Sequence, residues 1–413
     1  MNSIHTSFRT AGPEQLACAL REARNYTLCL FDAFVEAGLD DSARVPQLKV
    51  VNPPLWELGH IAWFAELFIV RQARSSDPGD ACAHSLLGGG DALFDSSSVA
   101  HSSRWALPLP ATRTIKAYCA AVLEHVLGRL AREAHEDAAL YFYRLSLAHE
   151  DMHGEALLYT LQTLGLRAPP MAAQAPGSRS VHSAGSGQIA FAAAVTRPFT
   201  SAFAAPAPGA GGFAFDNELG APAFVAAPFQ IDKSMISNAE FAAFIAAGGY
   251  QERAFWSEAG LAWLASFPGD SPRAAPRYWQ REGDGWRTQH FGVPCVLAEF
   301  EPVRHVTLHE AQAYCAWAGR GLPSEAQWQL AASSGDARFE WGQLWEWTAT
   351  PFEPYPGFVA GPYREYSAPW FATHQVLRGA SFATPARLRA AQFRNFYAPQ
   401  RDDMFGGFRT CAL

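Results

Sequence analysis

Between positions 167 and 212 the chain loses any regular spacing of apolar residues. Ala, Pro, Gly and Ser dominate there, as in APPMAAQAPGSRS (168–180) and APAPGAGG (205–212). That composition makes a linker or a loosely packed crossing segment rather than a core element. It divides the 413 residues into 1–166 and 213–413, each of ordinary domain size. The spacing on either side predicts a multi-domain protein, with an N-terminal all-α four-helix bundle followed by a C-terminal α+β domain.

The first part reads as helices. Leu16, Leu20, Ala23, Thr27, Leu30 and Phe34 recur every three or four residues. Leu55 to Arg71 puts Trp56, His60, Trp63 and Leu67 on one face, behind Pro53 and Pro54, where a helix start tolerates proline. A third helix is predicted from about 114 to 133. A fourth runs from about 137 to 164 and is stopped by Gly165, with Pro169 and Pro170 beyond. The stretch 75–112 reads as a long loop, a length that in a compact domain goes with function. After 213, short strand-like pieces alternate with turns, and two short helices are expected near 238–247 and 308–318.

Composition removes several functional classes. With 49% apolar and 17% charged residues the chain can bury a sizeable core and is not a disordered or coiled-coil protein. A net charge of −7 without a basic block argues against nucleic acid or an anionic membrane as partner. No run of about 18 apolar residues is present to span a bilayer, and residues 1–24 lack the features of a signal peptide. Seven scattered Cys, none in a CxxC pair, fit a reduced, cytoplasmic protein without disulfides.

The sharpest local signal is HEDMHGE at 149–155. His149 and His153 are four apart on a predicted helix, so their rings share a face and can grip one metal ion. The string also satisfies HExxH, the motif of zinc peptidases. The metzincin form needs a third His where Tyr159 stands, and no Glu follows Glu155 until Glu218. His60, on the apolar face of the second helix, is the alternative third ligand, because antiparallel packing in a bundle can bring it opposite the pair. Three neutral imidazoles with open positions suit zinc or a redox metal such as Fe(II), and spacing does not choose between them.

Two sets of motifs point to a known family. The His60 segment with HEDMHGE resembles a DinB-like bundle. The strings FAFDNE (213–218), HEAQAYCAWAGRGLPSEAQWQLAA (309–332, read as a helix), LWEWTAT (344–350), YPGF (355–358), VLRGASFAT (376–384), FRNF (393–396) and GGFRT (406–410) resemble the formylglycine-generating-enzyme fold, a C-type-lectin-like domain. In this order they resemble the ergothioneine-type sulfoxide synthases, non-haem iron enzymes that use O2 to join a chalcogen to the imidazole of hercynine (Nα-trimethylhistidine). NPPLWELGHIAW (52–63) and SRWALP (103–108) are similar to the selenoneine-synthase branch, whose donor is a selenosugar, 1-seleno-glucose.

The resemblance implies Fe(II) on His60, His149 and His153, with hercynine, a selenosugar and O2 as substrates. Where some sulfur enzymes carry an acid for a γ-glutamylcysteine-type donor, this chain has Tyr397, and Arg401 remains; loss of that charge suits a neutral sugar. The alternative is a sulfoxide synthase that takes cysteine or γ-glutamylcysteine. Aromatic faces suit the quaternary ammonium of hercynine, and Phe396, Tyr397 and Trp345 are the candidates. Asn395 would orient the carboxylate, Arg394 belongs to the same substrate-binding string, and Arg104 and Arg401 would fix the donor. Met152 stands where relatives place a polar contact to hercynine. Tyr363 and Tyr366, in PYREYS (362–367), are the candidate catalytic tyrosines. A zinc hydrolase and a lectin-like binding module are the readings from other classes. Formylglycine generation itself is disfavoured, because its paired C-terminal cysteines are not evident.

Overall fold

A computed structural model describes residues 7–172, 187–195, 212–219 and 225–413. The first half holds α1 (Pro13–Glu36), α2 (Pro54–Ala65), α3 (Gly90–Phe94), α4 (Thr112–Leu130) and α5 (Asp137–Thr163). The four long helices start and stop close to where the apolar spacing predicts. Proline opens both α1 and α2, where its missing N–H is no loss. α1 packs on α5, α2 on α4, and α2 also meets α5. Every residue of α2 is buried, as expected of a helix enclosed by its neighbours. It continues into a π-helical turn, Glu66–Val70, an irregularity that often accompanies function.

The 75–112 stretch folds back over α2. Glu66 accepts hydrogen bonds from Tyr118, Ser85 and the Leu86 N–H, which ties the loop down. Gly59 allows the closest approach: a Cβ there would lie 2.3 Å from the Phe94 ring.

The second half has α6 (Asn238–Ala246), α7 (Glu258–Ala265), α8 (Leu308–Ala318) and α9 (Glu325–Ser333) among short strands. β1 (Gln188–Phe191) pairs with β4 (Phe229–Asp232), and β2 (Ala194–Val195) with β3 (Val225–Ala226). β5 (Gln280–Glu282), β6 (Gly285–His290) and β7 (Val293–Val296) form an antiparallel sheet. The central sheet runs β10 (Asn395–Tyr397), β9 (Gln375–Gly379), β8 (Trp345–Pro351), β11 (Gly406–Gly407), with only β11 parallel to its neighbour.

Two expectations are corrected. The 167–212 segment is not linker throughout, because 188–191 and 194–195 are strands paired with the second half. Runs of two to four residues are too short to show alternation. The string 309–332 is two helices rather than one. Gly319 ends α8 in the left-handed conformation (φ 63°), Pro323 follows, and Ser324 caps α9.

The halves share one apolar core, in which Phe215, Trp345 and Phe393 belong with α2 and α5. Polar ties join them as well. The Glu155 carboxylate on α5 accepts from Ser381 Oγ (2.5 Å), Thr384 Oγ1 (2.7 Å) and Trp345 Nε1 (2.8 Å). Arg387 forms a two-pronged pair with Asp151, and Arg9 does so with Glu218. Among the described residues no helix is long and apolar enough to cross a membrane.

Candidate metal centre

His149 and His153 stand one turn apart on α5, and His60 faces them from α2. One nitrogen from each of the three lies within 4.8 Å of the others, and the ring centroids are 4.5 to 5.1 Å apart. Two rings have their second nitrogen engaged. His60 Nδ1 is 2.8 Å from the Phe94 carbonyl, and His153 Nδ1 is 2.8 Å from Glu57 Oε1. Both partners can only accept, so each Nδ1 carries the hydrogen and each Nε2 keeps a lone pair for a metal. His149 stacks on Phe64 at 3.7 Å, and its Nε2 is buried without a hydrogen-bond partner. Burial pulls His60 and His149 well below the usual imidazole range, and the neighbouring imidazoles add to it. Neutral imidazoles are the ligating form. An orphaned buried nitrogen between two oriented ones therefore fits a metal ion.

The zinc-peptidase reading loses its general base here. Glu150 is paired with Arg24 through both oxygens, at 2.7 and 3.1 Å, with both side chains buried. A carboxylate so held is not available to a metal-bound water.

Around the trio, Trp56 stacks on His60 at 5.0 Å, and the Arg104 guanidinium lies 3.8 Å above Trp56. Arg104 donates to Asn52 Oδ1 (2.7 Å) and to the Val99 carbonyl (3.4 Å), both neutral. Burial brings it down to about 10, so it keeps its charge at neutral pH. Tyr363 lies 4.9 Å from Phe64 and 5.9 Å from His149. Tyr366 is 5.7 Å from Tyr363, and its hydroxyl is 3.8 Å from Met152 Sδ. Phe396 meets Tyr366 edge-on at 5.7 Å and stacks on Phe352 at 4.1 Å. Arg401 lies over Tyr397 at 5.1 Å but forms a two-pronged pair with Asp403. Asn395 Oδ1 accepts from the Phe396 N–H.

Two expected substrate contacts belong to the core instead. Trp345 is buried with its indole N–H on Glu155. Arg394 is buried, pairs with Glu325 through two nitrogens, and donates to the Asn217 and Glu353 carbonyls. The Trp345 ring packs beside Phe393 at 5.5 Å rather than facing open space, and all three Arg394 nitrogens are engaged within the core.

Sequence reasoning missed Glu57, Phe64 and the Phe94 carbonyl. Glu57 lies three residues before His60 on α2, a Glu-x-x-His spacing that sequence could have flagged. The role of the Phe94 carbonyl had no such signal.

Residues 207–344 match the sulfatase-modifying factor enzyme 1-like domain family. The chain is 38% identical over 126 residues to a formylglycine-generating enzyme of Thermomonospora curvata, covering 28% of this chain and 41% of that one. Two proteins named hercynine oxygenase match almost end to end. That of Mycolicibacterium thermoresistibile is 32% identical over 96% of this chain and 94% of its own. That of Mycobacterium tuberculosis is 32% identical over 96% and 98%. At that identity and coverage, and with a second half related to the formylglycine-generating enzymes, this chain belongs to the hercynine oxygenase family.

Proposed function

We propose that the protein is a non-haem iron enzyme that uses O2 to join a chalcogen to the imidazole of hercynine. The observation that carries the proposal is the three-histidine site, with two rings oriented through Nδ1 and one buried nitrogen lacking a partner. The names of the near-full-length relatives support hercynine as substrate. The helices of the first half would form a DinB-like four-helix bundle, supported by the pairing of α1 with α5 and of α2 with α4.

Fe(II) on His60, His149 and His153 would supply the binding and activation of O2. The chain's own groups do the rest. Phe64 and Glu57 fix the ligand rings, and Phe396 and Tyr366 offer aromatic faces to a trimethylammonium group. Arg104, whose bonds go to neutral oxygens, can hold a carboxylate. Burial raises the Tyr363 and Tyr366 hydroxyls well above the ordinary phenol range. Each Oη therefore keeps its proton until one is required near the centre.

A thiol donor, cysteine or γ-glutamylcysteine, is the reading nearest the relatives, and it makes the protein an ergothioneine-type sulfoxide synthase. A second reading, selenoneine synthesis from 1-seleno-glucose, is favoured by one observation. Arg401 is already neutralised by Asp403, and its neighbour Tyr397 is an uncharged phenol, a setting that suits a neutral hydroxylated donor. Iron-loaded protein would be given hercynine, O2 and each donor in competition, and the products weighed by mass spectrometry. A sulfoxide product assigns the first reading and a selenium-bearing imidazole the second. No carbon–chalcogen product with any donor would refute both.

A further inference from the structure

We propose that Asp216 is a positioning residue that holds the tyrosine-bearing loop, 361–367, against the metal centre. The inference rests on the functional reading above for the importance of Tyr363 and Tyr366, while the clamp itself rests on geometry. The two oxygens of this one buried carboxylate take the two ends of the loop. Oδ2 accepts the Gly361 N–H (3.2 Å) and Oδ1 accepts the Ser367 hydroxyl (2.5 Å), with Ser367 fully buried. Between these anchors the described residues give the loop few hydrogen bonds: a turn bond from the Tyr366 N–H to the Tyr363 carbonyl, one from the Trp370 indole N–H to the Glu365 carbonyl, and two ties to the first half, from the Ser76 N–H to the Pro362 carbonyl and a long one from the Tyr366 hydroxyl to Met152 Sδ. Tyr363 and Tyr366 otherwise rest on apolar neighbours, including Phe64 and Phe215. Such contacts keep a ring buried but do not set its height above a metal.

Asp216 is itself well fixed. It opens a short 3-10 turn, Asp216–Glu218. On one side Glu218 is held by Arg9 and the Phe213 N–H bonds the Arg9 carbonyl. On the other, Arg394 donates to the Asn217 carbonyl. The buried Arg394, which sequence assigned to substrate, thus supports the turn that supports the tyrosines. A carboxylate is needed because both oxygens must accept. Asn at this position could still take the Ser367 hydroxyl but not the Gly361 N–H.

The test uses the full chain in two arms. In metal-free protein, hydrogen exchange of peptides covering 361–367 is expected to rise at least about tenfold in Asp216→Ala and less in Asp216→Asn, with α5 unchanged. In iron-loaded protein, Asp216→Ala is expected to lower kcat about tenfold, with iron content and the KM for hercynine within about twofold of the parent. In a Tyr363→Phe, Tyr366→Phe background the same substitution should cost nothing further. Ser367→Ala serves as the second variant should Asp216→Ala fold poorly. Unchanged exchange across the loop, or a full additional loss in the double-Phe background, overturns the proposal. Full activity of the double-Phe protein would instead refute the tyrosine role in the functional reading, and the exchange arm would still judge the clamp.

Discussion

Both halves pair buried arginines with carboxylates, and Arg104 of the first half departs from that use. In the second half Arg378 and Arg394 converge on Glu325, and Arg409 meets Glu346, all deeply buried. These ion pairs stitch together a region with little regular structure, where short strands leave many carbonyls in need of donors. In the first half Arg24 pairs with Glu150, Arg71 with Asp91 and Arg144 with Asp137 in the same way, whereas the half-buried Arg104 does not. It sits on Trp56 beside the three histidines and donates to neutral oxygens. A buried charge paired with a carboxylate is architecture in either half; a half-buried one without such a partner, beside imidazoles, is available to a ligand.

The largest effect expected on the helical side is at the ligands. His153→Ala should remove most bound iron and with it activity, as measured by metal analysis after dialysis. Full retention of iron would break the ligand assignment. On the other side, Glu325→Gln strands two buried guanidinium groups and should cost about 3–5 kcal/mol of stability, read from urea unfolding. A loss under about 1 kcal/mol would show that the ion pairs are not what holds the second half together.

Arg104→Met sharpens the contrast. It should leave the unfolding midpoint near that of the parent and raise the KM of a carboxylate-bearing substrate about 10- to 100-fold. A large stability loss with unchanged KM would make Arg104 another structural arginine. Glu57→Gln keeps an acceptor near His153 but removes the charge, so iron affinity should fall by about 10- to 100-fold, measured by competition with a chelator.

The smallest effect concerns pH. His290 accepts from Arg304, and burial followed by that cation lowers it to about 4. The folded protein keeps this ring neutral while the unfolded chain protonates it, so the stability it confers is present above about pH 6.5 and lost as pH falls towards 4. Urea midpoints at pH 7 and pH 5 should differ less in His290→Gln than in the parent. An equal or larger difference would remove His290 from the account.

The helices of the first half were legible because three- and four-residue spacing survives burial: Leu16, Leu20 and Leu30 point where periodicity says. The His149–His153 pair follows from the same geometry. What joins distant parts of the chain was not legible. Glu57 and His153 are 96 residues apart, and Trp345 and Glu155 are 190 apart. Nothing local in Trp345 or Arg394 separates a ligand cage from a core, because an aromatic ring or a guanidinium suits both until its partner is known. The end of α8 was legible, since the helix expected near 308–318 is α8 itself; reading the family string 309–332 as one helix is what hid the separate α9 behind Gly319 and Pro323.

α5 bears two of the three candidate ligands on one stretch and, two residues past the second, the Glu155 carboxylate that three groups of the other half satisfy. Such a helix has no independent owner. Exchanging either half with that of a relative would import a foreign seam, so hybrids should succeed only when Trp345, Ser381 and Thr384 travel with a matching carboxylate. Inheritance of the pair as one unit is the simplest way to keep that seam intact.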